Sequence, residues 1–323
     1  MEAEFNTEEE IVFKHNQAEL EEKIRNIIKD GIDTVQILAD FDMTLTRDRV
    51  GGEKASSCFG ALTHSGLLSD EYVEKNKKNY EKYRPIEKDP HLDLQEKEAL
   101  MEEWWEKECD DIINEGPSHE DFMKMASSCK IYFRNGISEL LEIRKDVPML
   151  VVSAGIGEII KASFEVLTND IDTNLSSLKN FSIVSNLGVY EDSKIVAFNQ
   201  PLVNVMNKSS HVKKFIDAQK ELDEENHHHL RGNIIVMGDV IEDLRMIDEI
   251  SYDNIIKVGF LNNLEVDSHL EEVYEKHFDI IIQHDGNLYP IISLLQLFAG
   301  EKMSHGDKLP DDFREFLESL YDD

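Results

Sequence analysis

The sequence predicts an α/β fold in which a doubly wound parallel sheet carries a helical cap inserted after its first strand. Short apolar segments rich in β-branched residues recur along the chain, and segments with helical spacing separate most of them. About 110 residues lie between Asp42, at the end of the first apolar segment, and Ser153, directly after the second, far more than the ~12–15 residues of a structureless loop. This intervening segment must therefore contain structure of its own.

Five apolar segments are predicted as strands of the sheet. Residues 34–42 begin with β-branched residues and end in two carboxylates, which is typical of a buried parallel strand that reaches a ligand-binding edge. The other four segments are residues 147–152, 234–237, 255–258 and 280–282. Helices are predicted at residues 157–167 and 211–222. In such Rossmann-like sheets, ligands bind beyond the carboxyl ends of the strands.

The inserted segment is predicted to form a helical cap over residues 50–140. Its helical patterns lie at residues 69–83, 94–113 and 120–128. The core is then expected to comprise residues 1–49 and 141–300, with a strand and hairpin excursion at residues 181–205. Residues 301–323 form an acidic C-terminal tail. A docked helix is predicted there from four apolar residues at helical spacing, Phe313, Phe316, Leu317 and Leu320.

The composition argues against several classes of partner. The 323 residues include 34 Lys and Arg against 67 Asp and Glu, so the formal net charge is −33. Such a charge repels polyanions and argues against sequence-independent nucleic-acid binding. The N-terminus is acidic where a targeting peptide would be basic, and no apolar run reaches the ~18 residues that span a bilayer. We therefore expect a cytoplasmic monomer without nucleic-acid or membrane partners.

The spacing of cysteines and histidines gives no metal-binding signature. Cys58, Cys109 and Cys129 are far apart and form no Cys-x-x-Cys pair, so we expect buried free thiols in a reducing compartment. The three histidines at 227–229 could hold a metal, but adjacent residues do not share a helix face and no partner ligands are evident. We expect a solvated loop there.

The first predicted strand ends in Asp40-Phe41-Asp42-Met43-Thr44, a D-x-D-x-T pattern. Side chains two apart on a strand point to the same side, so the two carboxylates are expected to lie close together. Like charges there require a cation. Mg²⁺ fits best because it prefers oxygen ligands and is completed by a substrate phosphate. The alternative is a polar strand terminus without a ligand.

Three further blocks are expected at the same edge. The segment from Ser153 to Gly155 passes from a strand into a helix, where a hydroxyl and backbone N–H groups can hold an anion, although its glycines could simply form a turn. Lys208 could place a cation against a phosphoryl group, although a lysine is usually a surface residue. Asp239 and Asp243 are four residues apart after a strand, a spacing suited to a metal ligand and its hydrogen-bonding partner.

Taken in order, these blocks resemble the haloacid dehalogenase superfamily. The resemblance narrows to the cytosolic 5′-nucleotidase III family, which includes pyrimidine and 7-methylguanosine-phosphate nucleotidases, and it covers roughly residues 20–298. The matching segments are residues 40–46 (DFDMTLT), 153–158 (SAGIGE), 184–186 (VSN), 207–208 (NK), 238–246 (GDVIEDLRM) and 257–262 (KVGFLN). Their joint occurrence in this order by chance is very improbable. The resemblance implies a haloacid dehalogenase-type core, Mg²⁺ as cofactor and a nucleoside 5′-monophosphate as substrate.

The resemblance also implies roles for individual residues. Asp40 is expected to be the nucleophile, and Asp42 the general acid and base. Mg²⁺ is expected to be held by the Asp40 carboxylate, the Asp42 carbonyl and Asp239. The residues expected to bind the phosphate or to support the site are Ser153, Ala154, Gly155, Lys208, Asp243 and Thr44.

Residues 85–91 (PIEKDPH) and 101–105 (MEEWW) fit the cap of the same family. The resemblance implies that Glu87 hydrogen-bonds the nucleobase and that Trp105 stacks on it. A second tryptophan in the pair with Trp104 is similar to the 7-methylguanosine-type members, whereas pyrimidine-type members tend to tyrosine. A methylated guanine is cationic, so an indole face and a carboxylate should both attract it. The alternative is that both tryptophans belong to the core of the cap.

Departures from the family pattern leave the preferred base open. Glu108 and Asp110 stand where relatives carry small or basic residues, and residues 240–242 are bulkier and more acidic than usual. Three alternative functions are a phosphatase acting on another small phosphomonoester, an Asp-phosphorylated signalling module and a catalytically inactive nucleotide-binding scaffold. A signalling module would lack a large cap between the first two motifs.

Overall fold

A computed structural model describes most of the chain, namely residues 11–13, 17–89, 91–143, 147–170, 180–222 and 231–321. The histidine run at 227–229 lies outside these residues, so the expectation of a solvated loop stays a prediction. Within the described part of the chain, no helix is both long and apolar enough to cross a membrane.

The strands form one large sheet and two small antiparallel pairs. They are β1 (Ile11–Phe13), β2 (Val35–Ala39), β3 (Arg49–Val50), β4 (Glu53–Lys54), β5 (Met149–Ile156), β6 (Phe181–Asn186), β7 (Gly188–Glu191), β8 (Lys194–Phe198), β9 (Asn233–Gly238), β10 (Asn254–Leu261) and β11 (Ile280–Gln283). The large sheet has the order β1-β11-β10-β9-β2-β5-β6, and all its pairings are parallel except that of β1 with β11. The predicted doubly wound α/β core is confirmed. Its antiparallel edge strand β1 was not predicted.

Helices cover both faces of the sheet and form most of the region between β2 and β5. They are α1 (Gln17–Asp30), α2 (Cys58–His64), α3 (Asp70–Glu87), α4 (Leu94–Glu115), α5 (His119–Ser128), α6 (Ile137–Ile143), α7 (Gly157–Asp170), α8 (Lys208–Leu222), α9 (Leu264–Asp267), α10 (Glu271–His277), α11 (Tyr289–Phe298) and α12 (Asp311–Ser319). Short 3₁₀ segments occur at Ile32–Thr34, Ile241–Ile247, Ser268–Leu270 and Gly306–Lys308.

The register of the central strands brings their carboxyl ends to one edge. Ala39 of β2 pairs with Val151 of β5 on one side and with Met237 of β9 on the other. The pairing of β5 with β6 is irregular between Val152 and Ile156, so the intervening residues leave the regular ladder. The chain segments that follow Ala39, Val151 and Met237 therefore meet at this edge.

Apolar burial holds the helices against the sheet. All five residues of β2 are buried, as expected for a central strand covered on both faces. Helix α1 buries Leu20, Ile24 and Ile27, which lie on one helical face, and all ten residues of α11 are buried. Each fully buried Leu or Ile side chain stabilises the fold by ~1.5–3 kcal/mol before the entropy cost of ordering the chain.

Helices α2 to α5 lie within the predicted cap and have well-defined ends. Ser57, Ser69, Asp93 and Ser118 each accept a backbone N–H as N-cap residues. Gly116 directly follows helix α4 as its C-cap residue, and its φ of 62° is the left-handed conformation that favours glycine. The treatment of residues 50–140 as a separate cap stays a prediction.

The acidic tail ends in a docked helix, as its spacing predicts. Phe313, Phe316 and Leu317 of α12 and the following Leu320 are buried and belong to the main hydrophobic core. The excursion at residues 181–205 contributes β6 to the large sheet and then forms the β7–β8 hairpin.

Candidate active site

Asp40 and Asp42 lie in a tight turn that follows β2. The strand ends at Ala39, so alternation along a strand is the wrong reason for the proximity of the two carboxylates. The chain instead turns at Phe41, whose carbonyl accepts the backbone N–H of Leu45 at 3.0 Å. Both aspartates nevertheless line the same cavity.

A fully buried arginine, Arg134, holds this turn in place. Met43 has a φ of 60°, a left-handed conformation that costs a non-glycine residue about 1–3 kcal/mol. Arg134 donates to the carbonyls of Thr44 and Met43 at 2.7 and 2.6 Å, and Asn262 donates to the Met43 carbonyl at 2.8 Å. Sequence analysis missed Arg134, because a single arginine outside any periodic pattern gives no sign of its long-range partners.

Thr44, which the resemblance places in a supporting position, contributes its backbone to this arrangement. Its carbonyl accepts the Arg134 bond, whereas its buried hydroxyl has no hydrogen-bond partner within the part of the chain that the structure describes.

The Asp42 carboxylate is fixed by the N-terminus of a short helix. Its two oxygens accept the backbone N–H of Cys58 at 2.9 and 3.2 Å, and Ser57 caps the helix α2 that begins there. Burial raises the pKa of Asp42 to about 6, although the Cys58 bonds oppose the rise. A carboxyl group with such a pKa can both donate and accept a proton near neutral pH. Helix α2 was not predicted.

The segment from Ser153 to Gly155 is closely packed and fixed by hydrogen bonds. The backbone N–H of Gly155 donates to the Ser153 hydroxyl at 3.1 Å. The Ala154 carbonyl accepts both the Trp105 indole N–H at 2.8 Å and the Asn186 side-chain amide at 2.7 Å. A Cβ on Gly155 would lie 2.8 Å from the Cys58 sulfur, so only glycine fits there.

Lys208 connects the carboxylate that follows β2 to one that follows β9. Its ammonium group donates to Asp40 and, at 2.7 Å, to Asp243. Burial alone would lower the pKa of Lys208, but the charges of Asp243 and Asp40 raise it above its ordinary value. Burial raises the pKa of Asp40 well above its ordinary value, and Lys208 opposes the rise. Lys208 therefore stays protonated in the site.

Asp239 and Asp243 follow β9 and differ in their contacts. One Asp243 oxygen accepts the Lys208 bond, and the other accepts the backbone N–H groups of Asp239 and Val240 at 3.1 and 3.2 Å. Burial and the Asp243 charge raise the pKa of Asp239 to about 7. Tyr274 donates its hydroxyl to the Asp239 carbonyl and so fixes the backbone of this residue.

The carboxylates at this edge fit a hard divalent cation. Oxygens of Asp40, Asp239 and Asp243 lie within 4.8 Å of one another, and Mg²⁺ prefers such oxygen donors. The Asp42 carboxylate is not part of this group. The resemblance implies that Asp42 contributes its backbone carbonyl instead. The donor set is therefore suitable for Mg²⁺.

A cavity of about 620 Å³ extends from these residues into the cap. Its size and mixed apolar and polar lining suit a small organic ligand. Trp105 lies 6.1 Å from Phe59 and 4.6 Å from Trp104, measured between ring centroids and with edge-to-face geometry in both cases. Trp104 also stacks on Tyr83 at 5.5 Å, so this tryptophan is held within an aromatic cluster.

Glu108, one of the departures from the family pattern, is buried in the wall of this cavity. It accepts the side-chain amides of Asn76 and Asn79 at 2.7 and 3.0 Å and the Trp104 indole N–H at 3.2 Å. Burial raises the pKa of Glu108, although these three donors oppose the rise. A carboxylate with three N–H donors is a structurally satisfied group.

Glu87 lies in the last turn of α3 and forms an ion pair with Arg84. The other Glu87 oxygen has no protein donor among the described residues, so it stays available to a ligand. Burial alone would lower the pKa of Arg84, but the Glu87 charge raises it above its ordinary value. Sequence analysis missed Arg84 because a charged residue in a polar helix is normally solvated.

Three ion pairs connect the predicted cap to residues near the Asp239 segment. The nitrogen of Lys88 lies 3.0 Å from Asp267, that of Arg245 lies 3.2 Å from Glu98, and Lys97 pairs with Glu242. The Lys97 side chain is only 3% exposed and that of Glu242 17%, so solvent screens this pair far less than a surface pair. These contacts hold the helices over the catalytic edge.

Comparison with known proteins gives consistent relatives. The model of the pyrimidine 5′-nucleotidase (UMPH-1) family matches residues 43–299. The 7-methylguanosine phosphate-specific 5′-nucleotidase A of Xenopus laevis is 31% identical over 286 residues, which cover 87% of this chain and 93% of the relative. The corresponding Homo sapiens enzyme is 28% identical and covers 88% of this chain and 91% of its own length.

A solved structure agrees with these matches. The crystal structure of cytosolic 5′-nucleotidase IIIB bound to cytidine superposes with a TM-score of 0.72 at 28% identity, covering 89% of this chain and 93% of the other. The α/β fold that the sequence predicts is therefore shared with this solved structure. The chain belongs to the pyrimidine 5′-nucleotidase (UMPH-1) family.

Proposed function

We propose that the protein is an Mg²⁺-dependent 5′-nucleotidase that hydrolyses nucleoside 5′-monophosphates through an aspartyl-phosphate at Asp40. The observation that carries this proposal is the arrangement of Asp40, Lys208 and Asp243, three buried residues in the wall of a cavity large enough for a nucleotide. One carboxylate is available for attack, a fixed cation lies against it, and a second carboxylate fixes that cation.

In the first half of the reaction, an Asp40 oxygen attacks the phosphorus of the 5′-phosphate and the bond from phosphorus to the 5′-oxygen breaks. Asp42 donates its proton to the departing 5′-oxygen, which releases the nucleoside. Its raised pKa supports this role, because a fraction of the carboxyl groups stays protonated near neutral pH.

In the second half, the Asp42 carboxylate accepts a proton from a water molecule whose oxygen attacks the phosphorus. The bond between phosphorus and the Asp40 oxygen breaks, which releases inorganic phosphate and restores both carboxyl groups. Two moderate barriers thereby replace one high barrier.

The surrounding residues hold the phosphoryl group during both steps. Lys208, the Ser153 hydroxyl and the amides of Ala154 and Gly155 are proposed to donate to its oxygens, and the Gly155 amide would exchange its bond to the Ser153 hydroxyl for a phosphoryl oxygen. The bonds to the Ala154 carbonyl fix this segment before substrate arrives. Asp239, Asp40 and the Asp42 carbonyl would hold Mg²⁺, with Asp243 beside them. The bound ion would neutralise charge on the phosphoryl oxygens.

The nucleoside is proposed to occupy the cavity beneath the helices α3 and α4. Trp105 lines it and is fixed by its bond to the Ala154 carbonyl, while the free oxygen of Glu87 can accept an amino or imino N–H of the base. Both 7-methyl-GMP and the pyrimidine nucleotides CMP and UMP are proposed substrates. A cationic methylated guanine would benefit from both the indole face and the carboxylate.

The decisive test is phosphate release from purified protein with CMP, UMP, 7-methyl-GMP, GMP and phosphoserine, with and without Mg²⁺. We expect turnover of at least one nucleotide that depends on the ion, and a loss of several orders of magnitude in Asp40→Asn. The control Asp110→Asn removes an exposed carboxylate of α4 and should leave kcat unchanged. Preference for phosphoserine, or near-normal turnover in Asp40→Asn, would refute the proposal.

A second experiment addresses base preference. If the Trp105 indole selects the methylated purine, then Trp105→Tyr should shift the ratio of kcat/KM values toward CMP and UMP. An unchanged ratio would remove Trp105 from base selection.

We also propose that the protein is a cytosolic monomer. A net charge of −33 favours mutual repulsion between copies, and the Caenorhabditis elegans relative and the solved structure are both named cytosolic 5′-nucleotidases. Size-exclusion chromatography with light scattering should give a mass near 37.2 kDa. A mass twice as large would contradict the monomer.

A further inference from the structure

Arg84 is a partly buried cation that the proposed mechanism leaves without a role. It lies in the last turn of α3, and a terminal nitrogen of its guanidinium lies 3.9 Å from the Met43 sulfur. Met43 directly follows Asp42 in the catalytic turn. Arg84 also lines the cavity that Asp40 and Ser153 line. Helix α3 therefore places a positive charge beside the turn that contains Asp40 and Asp42.

The carboxylates at this edge outnumber the cations of the core, so a further cation would be stabilising there. Asp40, Asp42, Asp239 and Asp243 supply four carboxylates, against which the core places Lys208. A phosphate monoester adds up to two further negative charges near neutral pH, since its second pKa is ~6. Even with a divalent cation present, the substrate complex would carry a negative excess without another positive group.

Arg84 and Lys208 are the two shielded side-chain cations in the described wall of the cavity. Their side chains are 19% and 3% exposed, whereas Lys54 and Lys77 are exposed residues. A shielded charge interacts more strongly with a bound anion, because less water and salt lie between the two.

The hydrogen-bonding state of Arg84 leaves donors for a ligand. One terminal nitrogen is taken by Glu87, which fixes the direction of the planar group. The other terminal nitrogen meets only the Met43 thioether, a weak acceptor, within the described part of the chain. A guanidinium has five N–H donors in a rigid fork that suits phosphate oxygens.

We propose that Arg84 is a phosphate-contacting residue, which donates from the cap to a non-bridging oxygen of the 5′-phosphate while Lys208 contacts the same group from the core. The proposal rests on the proposed nucleotidase function and deepens it. The two oxygens of Glu87 would then make different contacts: one accepts a bond from Arg84 and fixes its direction, and the other faces the nucleoside. The substrate phosphate would then be contacted from both sides, by Arg84 of the predicted cap and by Lys208 of the core.

This arrangement makes a specific distinction between ligands. Inorganic phosphate carries the group that Arg84 contacts, whereas a free nucleoside lacks it. Loss of Arg84 should therefore weaken phosphate binding far more than nucleoside binding, which changes only indirectly because Glu87 loses its ion-pair partner. A purely structural role, in which Arg84 only pins the cap to the core, would weaken both ligands together.

The experiment measures competitive inhibition constants for inorganic phosphate and for cytidine, with the best nucleotide substrate and Mg²⁺, in the full-length protein. In Arg84→Met, we expect the constant for phosphate to rise on the order of 10- to 100-fold, as for a lost charge-assisted hydrogen bond. The constant for cytidine should change several-fold less, because cytidine is affected only through the lost ion pair of Glu87. Arg84→Lys keeps the charge without the fork and should fall between wild type and Arg84→Met. Lys78→Met removes an exposed cation of the same helix and should match wild type.

Two results would overturn the assignment. One is an unchanged phosphate constant in Arg84→Met, and the other is an equal rise for phosphate and cytidine. If Arg84→Met fails to fold, Arg84→Lys supplies the same comparison through the ratio of the two constants. A wild-type protein without nucleotidase activity would instead refute the proposed function, so the two failures are distinguishable.

Discussion

The substitution Arg134→Met tests whether one buried guanidinium holds the turn that carries Asp42. Arg134 donates to the carbonyls of Thr44, Met43 and Gly286 at 2.7, 2.6 and 2.7 Å, and it lies 3.3 Å from the Asp285 carboxylate. Methionine fills a similar volume but provides no donor. We expect a less stable protein and a lower kcat, because Asp42 would lose its fixed position relative to Asp40.

The size of the loss follows from these contacts. Thr44 and Gly286 would lose the Arg134 donor at their carbonyls, at ~1–3 kcal/mol for each buried acceptor left unsatisfied. Removing one partner of a buried ion pair costs ~3–5 kcal/mol. The two contributions overlap, so a total of ~3–5 kcal/mol is expected. For 323 residues, an unfolding entropy of ~2.1 cal/mol/K per residue converts this loss into a melting temperature lower by roughly 4–8 °C.

Calorimetry and steady-state kinetics measure the two effects separately. The melting temperature comes from differential scanning calorimetry, and kcat and KM are measured well below the transition of the variant. Arg314→Met is the matched control, since this arginine pairs with Asp311 at the surface and should change the melting temperature by less than about 1 °C. A wild-type melting temperature in Arg134→Met, or a destabilised variant with unaltered kcat, would contradict the role assigned to Arg134.

Two further substitutions probe the segment that follows β9. A Cβ on Gly238 would lie 2.2 Å from the Asp243 Cβ, so Gly238→Ala should displace the carboxylate that orients Lys208 and lower kcat by at least about 10-fold. Gly306→Ala is the control, because the nearest atom to a Cβ there is at 3.5 Å and kcat should stay unaltered. Equal kcat in the two variants would refute the steric reasoning. Lys97→Met breaks the shielded pair with Glu242 and should raise KM several-fold by favouring cap opening, whereas a KM equal to that of wild type would show that this pair does not hold the cap closed.

Short-range patterns predicted the residues at the catalytic edge. Asp40, Ser153 and Asp239 each follow a run of apolar, β-branched residues, and parallel strands must end at a common edge, so their convergence required no tertiary information. The aromatic pair of α4 was recognised through its resemblance to the family cap. Local sequence and family pattern together identified residues of the sheet edge and of the predicted cap that line the cavity.

Long-range contacts could not be predicted in the same way. Arg134 contacts Thr44 across 90 positions and Gly286 across 152, and nothing in the neighbourhood of Arg134 indicates either partner. Helix α2 has only seven residues, too few to show helical periodicity, yet its first amide fixes Asp42. Alternation along a strand failed for Asp42 because the strand ends three residues before it.

The covalent attachment of phosphate to Asp40 is the most direct test of the mechanism. The protein is mixed with a ³²P-labelled nucleotide and Mg²⁺, quenched in acid within milliseconds, digested and examined by mass spectrometry. We predict up to one phosphoryl group per chain on the peptide that contains Asp40, and none in Asp40→Asn. Rapid turnover with no label on that peptide, or with the label on another residue, would show that Asp40 is not the nucleophile.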